Sequence, residues 1–351
     1  MDFVDLRSDT VTKPTLAMRK AMAKAAVGDD VLGEDPTVRL LEQMAAERMG
    51  KQAGLFLPSG TMGNLIAALV HCRRGDEAIM GERGHTFLFE AGGVSALGGV
   101  VIHTLPNQPD GTLSPAALQA ALRPDDVHHP VSRLLILENT HNRCGGVVLS
   151  EAYMNWAAGF ARQHGLALHV DGARIFNAAV ALGLPAERLV GMADSVTFCL
   201  SKGLCAPVGS VLCGSSDFIR QARRLRKQLG GGMRQAGVIA AAGIVALEQM
   251  VDRLSEDHLR AFKLADGLRG VLGLTLPMGM PQTNMVFPFL PDDFPGTAAQ
   301  VAVALKERGI LVGAVAERAF RLVTHYWVDD EAVQRTLEAF RLVLGELRSA
   351  G

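Results

Sequence analysis

Between about residues 54 and 215, short apolar runs alternate with stretches whose apolar residues recur at helical spacing. The runs fall at 54–57, 77–80, 100–105, 134–137, 167–170, 195–200 and 209–213. Each is brief and almost uninterrupted, which is the pattern of a strand covered on both faces. Between them, Met62, Leu65, Ile66, Leu69 and Val70 share one helical face, as do Leu118, Ala121 and Leu122. This alternation predicts an α/β fold with a mostly parallel seven-stranded sheet sandwiched by helices. Beyond about residue 248 the pattern changes to an amphipathic helix over 254–268, a helix over 297–308, a strand over 320–325 and a final helix from Asp329. That layout suits a smaller α+β domain, with the Pro and Gly cluster at 277–281 as a hairpin or linker. The first fifty residues hold a helix over 14–25 and the acid-rich stretch GDDVLGEDP. The expected division is an N-terminal segment (1–50) lying on the large domain or a partner subunit, a large domain (51–248) and a small C-terminal domain (249–351).

A chain of 351 residues exceeds the size at which single cores stop growing, which agrees with two domains. Hydrophobic residues make up 48% and charged residues 20%, the balance of a globular enzyme and not of a disordered or fibrous chain. Lys plus Arg is 35 against 36 for Asp plus Glu, so charge gives no reason to expect nucleic acid or an anionic membrane as partner. The five cysteines form no C-x-x-C pair and read as buried thiols of a reducing compartment. The N-terminal MDFVDLRSDTVTKP has no apolar stretch and is not a signal peptide. The longest apolar run, GVIAAAGIVAL, falls well short of the roughly 20 residues of a membrane helix. A cytoplasmic protein is expected.

Several strand ends carry chemistry. In SVTFCLSKGLCAPVGS, Lys202 follows an apolar run directly. An amine kept partly out of water is more often neutral and nucleophilic toward carbonyls, which suits Schiff-base formation. Open α/β sheets bind ligands at the carboxyl edge where such a residue sits. Asp171, in LALHVDGARIFNA, emerges at the same edge, either as a cap of the following helix or as a functional carboxylate. Arg174 can face the same cleft and hold a carboxylate through two hydrogen bonds, or pair with Asp171. LPSGTMGN joins a strand to a helix and leaves the backbone amides of Gly60 and Thr61 at a helix N-terminus, an anion site suited to phosphate, unless Ser59 or Thr61 only caps the helix. It matches neither dinucleotide nor nucleoside-triphosphate loops. His85 follows the 77–80 run, where an imidazole can stack on a flat ring or shuttle protons. His128, His129 and His141 read as surface or loop residues, and no histidine pair has zinc-site spacing with a third ligand, so no metal is expected. Arg234, in GGGMRQAG, suits a subunit seam, and Arg321 sits within a strand, where an inward charge needs an anion.

Nine segments occur in one order: DLRSDTVTKPT, LPSGTMGN, GHTFLFEAGG, DDVH, ENTHN, LHVDGARIFNA, SVTFCLSKGLCAPVGS, GGGMRQAG and RLVTH. In this the chain resembles the L-threonine aldolases of low substrate specificity, in the β-eliminating lyase group of pyridoxal 5′-phosphate (PLP) enzymes with the fold type I (aspartate aminotransferase) architecture. The resemblance implies that Lys202 binds PLP as a Schiff base, that Asp171 pairs with the pyridine nitrogen, and that His85 stacks on the ring. It implies a phosphate site at Gly60 and Thr61, helped by Lys227 and Arg234 from a neighbouring subunit. Ser8, Arg174 and Arg321 would bind the substrate carboxylate, with Arg174 near the cofactor as well, and His128 would lie near the substrate hydroxyl. A homotetramer built from dimers is implied, with sites shared between chains. The implied reaction is retro-aldol cleavage of threonine or allo-threonine to glycine and acetaldehyde, with His85, His128 or a water as base. Another fold type I enzyme, an aminotransferase or a β-eliminating lyase, and a non-catalytic PLP-binding protein are the alternatives. The stretch RCGGVVLS after ENTHN is longer than the family's usual turn at that place.

Overall fold

The computed structural model describes residues 3–350, with the side chain of residue 350 excepted. Seven apolar runs become seven strands: β1 (Ala53–Leu57), β2 (Glu77–Gly81), β3 (Val101–Leu105), β4 (Ser132–Glu138), β5 (Ala167–Asp171), β6 (Ser195–Cys199) and β7 (Ser210–Gly214). They form one sheet in the order β1-β7-β6-β5-β4-β2-β3. From β6 through β3 the neighbours are parallel, whereas β7 runs antiparallel to both β6 and β1. Every position of β2, β6 and β7 is buried, as strands covered on two faces must be.

Alternation along β1 explains how the faces are filled. Leu55 and Leu57, with Leu212 of β7, pack on Ile66 and Ala67 of the helix Gly60–His71 and on Phe218, Ile219 and Ala222 of the helix Ser216–Gln228. The amide of Phe56, between those two leucines, donates to Glu42 of the helix Pro36–Met49. The helix Gly60–His71 can lie close to the sheet because two of its residues have no Cβ. A methyl at Gly60 would stand 2.9 Å from Cys199 Sγ, and one at Gly63 would stand 2.6 Å from a methyl of Thr197.

Strand register brings polar residues of neighbouring strands side by side. Glu138 is the Cα partner of Asp171, and Asp171 that of Thr197, so three residues of β4, β5 and β6 form one row near the carboxyl edge.

The chain divides into two compact units, 13–251 and 1–12 together with 252–351. This differs from the expected division at the N-terminal end. Val4 and Asp5 pair in parallel with Ile310 and Leu311, and Val4 and Leu6 are buried in the core of the smaller unit. Residues 13–50, including the helices Leu16–Ala23 and Pro36–Met49, stay with the larger unit, where both pack against the helix Gly237–Gln249. The smaller unit has an antiparallel sheet of β8 (Met285–Val286), β9 (Gly313–Ala316) and β10 (Ala319–Val323), with β10 central. The helices Leu254–Arg269, Ala298–Glu307 and Asp330–Ala350 complete it, and Phe320 meets Phe340 edge to face across the core. The cluster expected as a hairpin or linker at 277–281 lies in the loop between the bridged residues Thr275 and Phe289.

All five cysteines are buried free thiols, and burial pushes Cys72 up to about 12 and Cys144 up to about 11. Among the described residues no helix is long and apolar enough to cross a membrane.

Candidate active site

Asp171 ends β5 and is only 2% exposed. Its Oδ1 accepts the amide of Ala173 at 3.2 Å and its Oδ2 accepts from Asn64 Nδ2 at 2.9 Å. Asp171 is not the cap of the following helix, whose N-cap position is Arg174 with no side-chain cap hydrogen bond; its Oδ1 secures the turn before that helix, and its Oδ2 is held by Asn64. The second hydrogen of Asn64 Nδ2 goes to Glu90 Oε1 at 2.8 Å. That same oxygen takes Nδ1 of His85 at 2.9 Å, so His85, Glu90 and Asp171 bring their polar atoms within 4.8 Å of one another.

The hydrogen bond that His85 Nδ1 donates to Glu90 raises the pKa of His85, against the opposing effect of burial, and the charge of Asp171 adds to the rise. Burial raises Glu90 too, and the neighbouring Asp171 charge acts in the same direction. Imidazole and carboxyl group thus share a hydrogen bond beside a second carboxyl group, that of Asp171. The backbone of His85 is pinned as well: its amide donates to Glu138 Oε2 at 2.7 Å, at the end of β4.

Lys202 lies partly buried in the bend after β6, and its carbonyl accepts the amide of Cys205 at 2.9 Å. Its positive charge opposes protonation of His85, which places the amine in the same electrostatic neighbourhood. Arg174 precedes the helix Ile175–Leu182 and is 8% exposed, three residues beyond Asp171. At the strand-to-helix junction after β1, Ser59 caps the helix through Met62 N at 3.2 Å. The amides of Gly60 and Thr61 lie in the first turn, where no intrahelical acceptor exists, and Thr61 is exposed.

Other expected residues stand elsewhere. Lys227 and Arg234 are exposed on the larger unit, and Arg234 is paired with Asp29 at 2.8 Å. His128 is 82% exposed and hydrogen-bonded to Asp126 at 2.6 Å, so within this chain it does not join the buried group. His129 is exposed too. In the smaller unit, Ser8 caps the short turn Asp9–Val11, and Arg321 donates to the carbonyl of Arg7, the residue before Ser8.

Sequence reasoning puts His141 on the surface or in a loop; it is 2% exposed and lines a small cavity with His85, Glu138 and Asp171. Asn64, Glu90 and His169 join the hydrogen-bonded group around Asp171, and sequence reasoning does not single them out. A polar residue inside an apolar run is the signal that could find them, because a buried polar group must be hydrogen-bonded.

PLP, implied by the resemblance, needs a partner for its ring nitrogen, a lysine, and an anion site for its phosphate. The residues fit it. Buried polar atoms without a protein partner, among the described residues, include Glu90 Oε2, His141 Nδ1 and Thr197 Oγ1. All three belong to residues beside Asp171, by register, by shared cavity or by proximity of their polar atoms. An open helix N-terminus completes the set, suited to an anion.

Comparison with known proteins agrees with this arrangement. The family described as beta-eliminating lyase matches residues 5–291. The chain is 50% identical over 343 residues to the probable low-specificity L-threonine aldolase 2 of Arabidopsis thaliana, covering 97% of each protein. It is 47% identical over 341 residues to the low specificity L-threonine aldolase of Escherichia coli strain K12, covering 97% of this chain and 99% of that one. The fold is similar to that of Leishmania major threonine aldolase, with a TM-score of 0.83 at 21% identity over 97% of this chain and 99% of that one. On a family match over most of its length and relatives at 47–50% identity, the chain belongs to the beta-eliminating lyase family, alongside the low-specificity L-threonine aldolases.

Proposed function

We propose that this protein is a PLP-dependent aldolase that cleaves L-threonine and L-allo-threonine, and related β-hydroxy-α-amino acids, to glycine and an aldehyde. The observation that carries the reading is the meeting of buried Asp171, Glu90-bound His85 and the Lys202 bend at one sheet edge. Relatives at 47–50% identity that bear the aldolase name support the choice of substrate. Bound PLP supplies the electron sink for the pair released when Cα–Cβ breaks.

The protein's own groups hold, orient and move protons. Lys202 Nζ would be the point of attachment, and the Asp171 carboxylate would pair with the ring nitrogen. Gly60 and Thr61 take the phosphate through backbone amides, aided by Lys227 and Arg234 of a neighbouring copy. His85 would hold the ring from one face. With Nδ1 committed to Glu90, Nε2 is the nitrogen that can exchange a proton with the substrate hydroxyl, directly or through water. His128 is the other candidate for that hydroxyl. Arg174, with Ser8 and Arg321, takes the substrate carboxylate, which fixes the direction of the Cα–Cβ bond.

The reading includes a homotetramer in the cytoplasm, a larger unit that carries the cofactor, and an N-terminal segment that meets a partner subunit. Phe87, Leu88 and Phe89, exposed two to four residues after His85, form an apolar surface of the kind that copies of a chain cover. The deciding assay incubates the purified protein with L-threonine and couples acetaldehyde to NADH oxidation by alcohol dehydrogenase while glycine is counted. Equal glycine and acetaldehyde are expected. Pyruvate or 2-oxobutyrate without glycine would overturn the proposal in favour of another PLP lyase or an aminotransferase.

A further inference from the structure

Five polar side chains inside the larger unit form one hydrogen-bonded line that ends on Asp171. His71 Nε2 lies 2.8 Å from Ser195 Oγ, Ser195 Oγ 2.9 Å from His169 Nδ1, and His169 Nε2 3.1 Å from Asn64 Oδ1. Asn64 Nδ2 then reaches Asp171 and Glu90 at 2.9 and 2.8 Å.

The direction of every bond follows from the far end. Carboxylates accept, so both hydrogens of the Asn64 amide are used and its oxygen faces His169. His169 must donate from Nε2, which in a neutral ring leaves Nδ1 to accept the hydroxyl hydrogen of Ser195. The Ser195 oxygen in turn accepts the Nε2 hydrogen of His71. No link is left with two donors or two acceptors facing each other. Burial lowers His169 to about 3 and His71 to about 4, so both rings are neutral near pH 7 as the line requires.

The backbone puts Asn64 where it can do this. It lies one turn beyond Gly60 on the helix whose first amides face the proposed phosphate site. Gly60 and Gly63 let that helix lie against β6, and Asn64 is 2% exposed.

We propose that Asn64 is a positioning residue for the ring-nitrogen end of the cofactor site, with its amide fixed by neutral His169 so that it holds Asp171 and Glu90 side by side. The inference rests on PLP occupying this site with its nitrogen toward Asp171. Without Asn64 the two carboxylates face each other unbridged, and one of them takes a proton or turns away.

Two measurements test it. In the apoenzyme, 15N-histidine NMR between pH 6 and 8 should show His169 and His71 as neutral Nε2–H tautomers. A charged ring or an Nδ1–H tautomer at His169 overturns the proposal, whatever the cofactor does. Second, the dissociation constants of PLP and of 1-deaza-PLP, which has C–H in place of the ring nitrogen, are measured for the wild type and Asn64→Ala. Loss of a hydrogen bond to a charged group should weaken PLP by about 10- to 100-fold. The deaza analogue, which makes no bond to Asp171, should weaken by less than about 3-fold if Asn64 acts through that carboxylate alone. Equal weakening of both compounds means that Asn64 is only structural, and overturns the proposal. Ser195→Ala, which removes the donor to His169 at a greater distance, should show the same preference at smaller size. If the wild type binds neither compound, the cofactor reading fails, and the positioning role falls with it even where the tautomers are as expected.

Discussion

Two histidines of the larger unit, buried His169 and partly buried His71, should make it lose stability in mild acid, by an amount that can be worked out. Burial holds His71 at about 4 and His169 at about 3, whereas an unfolded histidine titrates near 6.5. The folded values are depressed, so below about pH 6.5 the unfolded chain binds protons that the folded chain refuses. Stability is then fully present above the unfolded value and is lost as pH falls toward the folded values. Between pH 7 and pH 5 each ring contributes a loss of about 2 kcal/mol, or about 4 kcal/mol together. The assay is urea unfolding of the apoprotein at the two pH values, followed by fluorescence of Trp156 in the larger unit, with Trp327→Phe as background to silence the smaller one. His71→Gln keeps a donor toward Ser195 but cannot titrate. Its loss between pH 7 and pH 5 should be smaller than that of the background protein by about 2 kcal/mol, and carboxylates and other histidines cancel in this difference. Were the variant and its background to lose the same stability over that interval, His71 would not be the partly buried neutral ring described, and the hydrogen-bond line from it would lose its first donor.

Gly63→Ala would place a methyl 2.6 Å from the Thr197 side chain, and should destabilise the larger unit by about 1–3 kcal/mol in the same urea assay, while weakening PLP as the helix is pushed from β6. Arg226, 2% exposed, pairs with Asp30 at 2.8 Å and donates to the carbonyl of Phe56 at 2.9 Å, so Arg226→Ala should cost about 3–5 kcal/mol by stranding a buried carboxylate. Arg321→Ala should raise the KM for L-threonine at least about 30-fold in steady-state kinetics while PLP absorbance persists, and unchanged kinetics would remove Arg321 from the carboxylate site.

The large sheet was legible because most of its strands are buried on both faces and read as apolar runs, the part-exposed edge strand β3 being the exception; all seven lie within a residue or two of where those runs fall. Asp171, His85 and Lys202 were legible for a related reason, since each stands at or just past the carboxyl end of such a run. Their partners were not. Asn64 and His169 interrupt apolar stretches, and nothing in local periodicity tells an interruption that faces solvent from one that meets another interruption 105 residues away. Glu90 sits in a run of exposed aromatic and apolar residues, and only the folding back of its loop buries it. The pairing of Val4 with Ile310 was out of reach as well, because a strand of two residues has no period to detect.

That last pairing also orders events during synthesis. The segment carrying Val4 and Asp5 is synthesised before the strand that completes it, Ile310–Leu311, which follows about 15 to 60 s later at ordinary elongation rates. In that interval the larger unit, whose residues 13–251 are continuous in the chain, can close by itself. The opening residues must wait as an unpaired strand with an apolar Val4 and Leu6, a ready target for a chaperone or for another nascent chain.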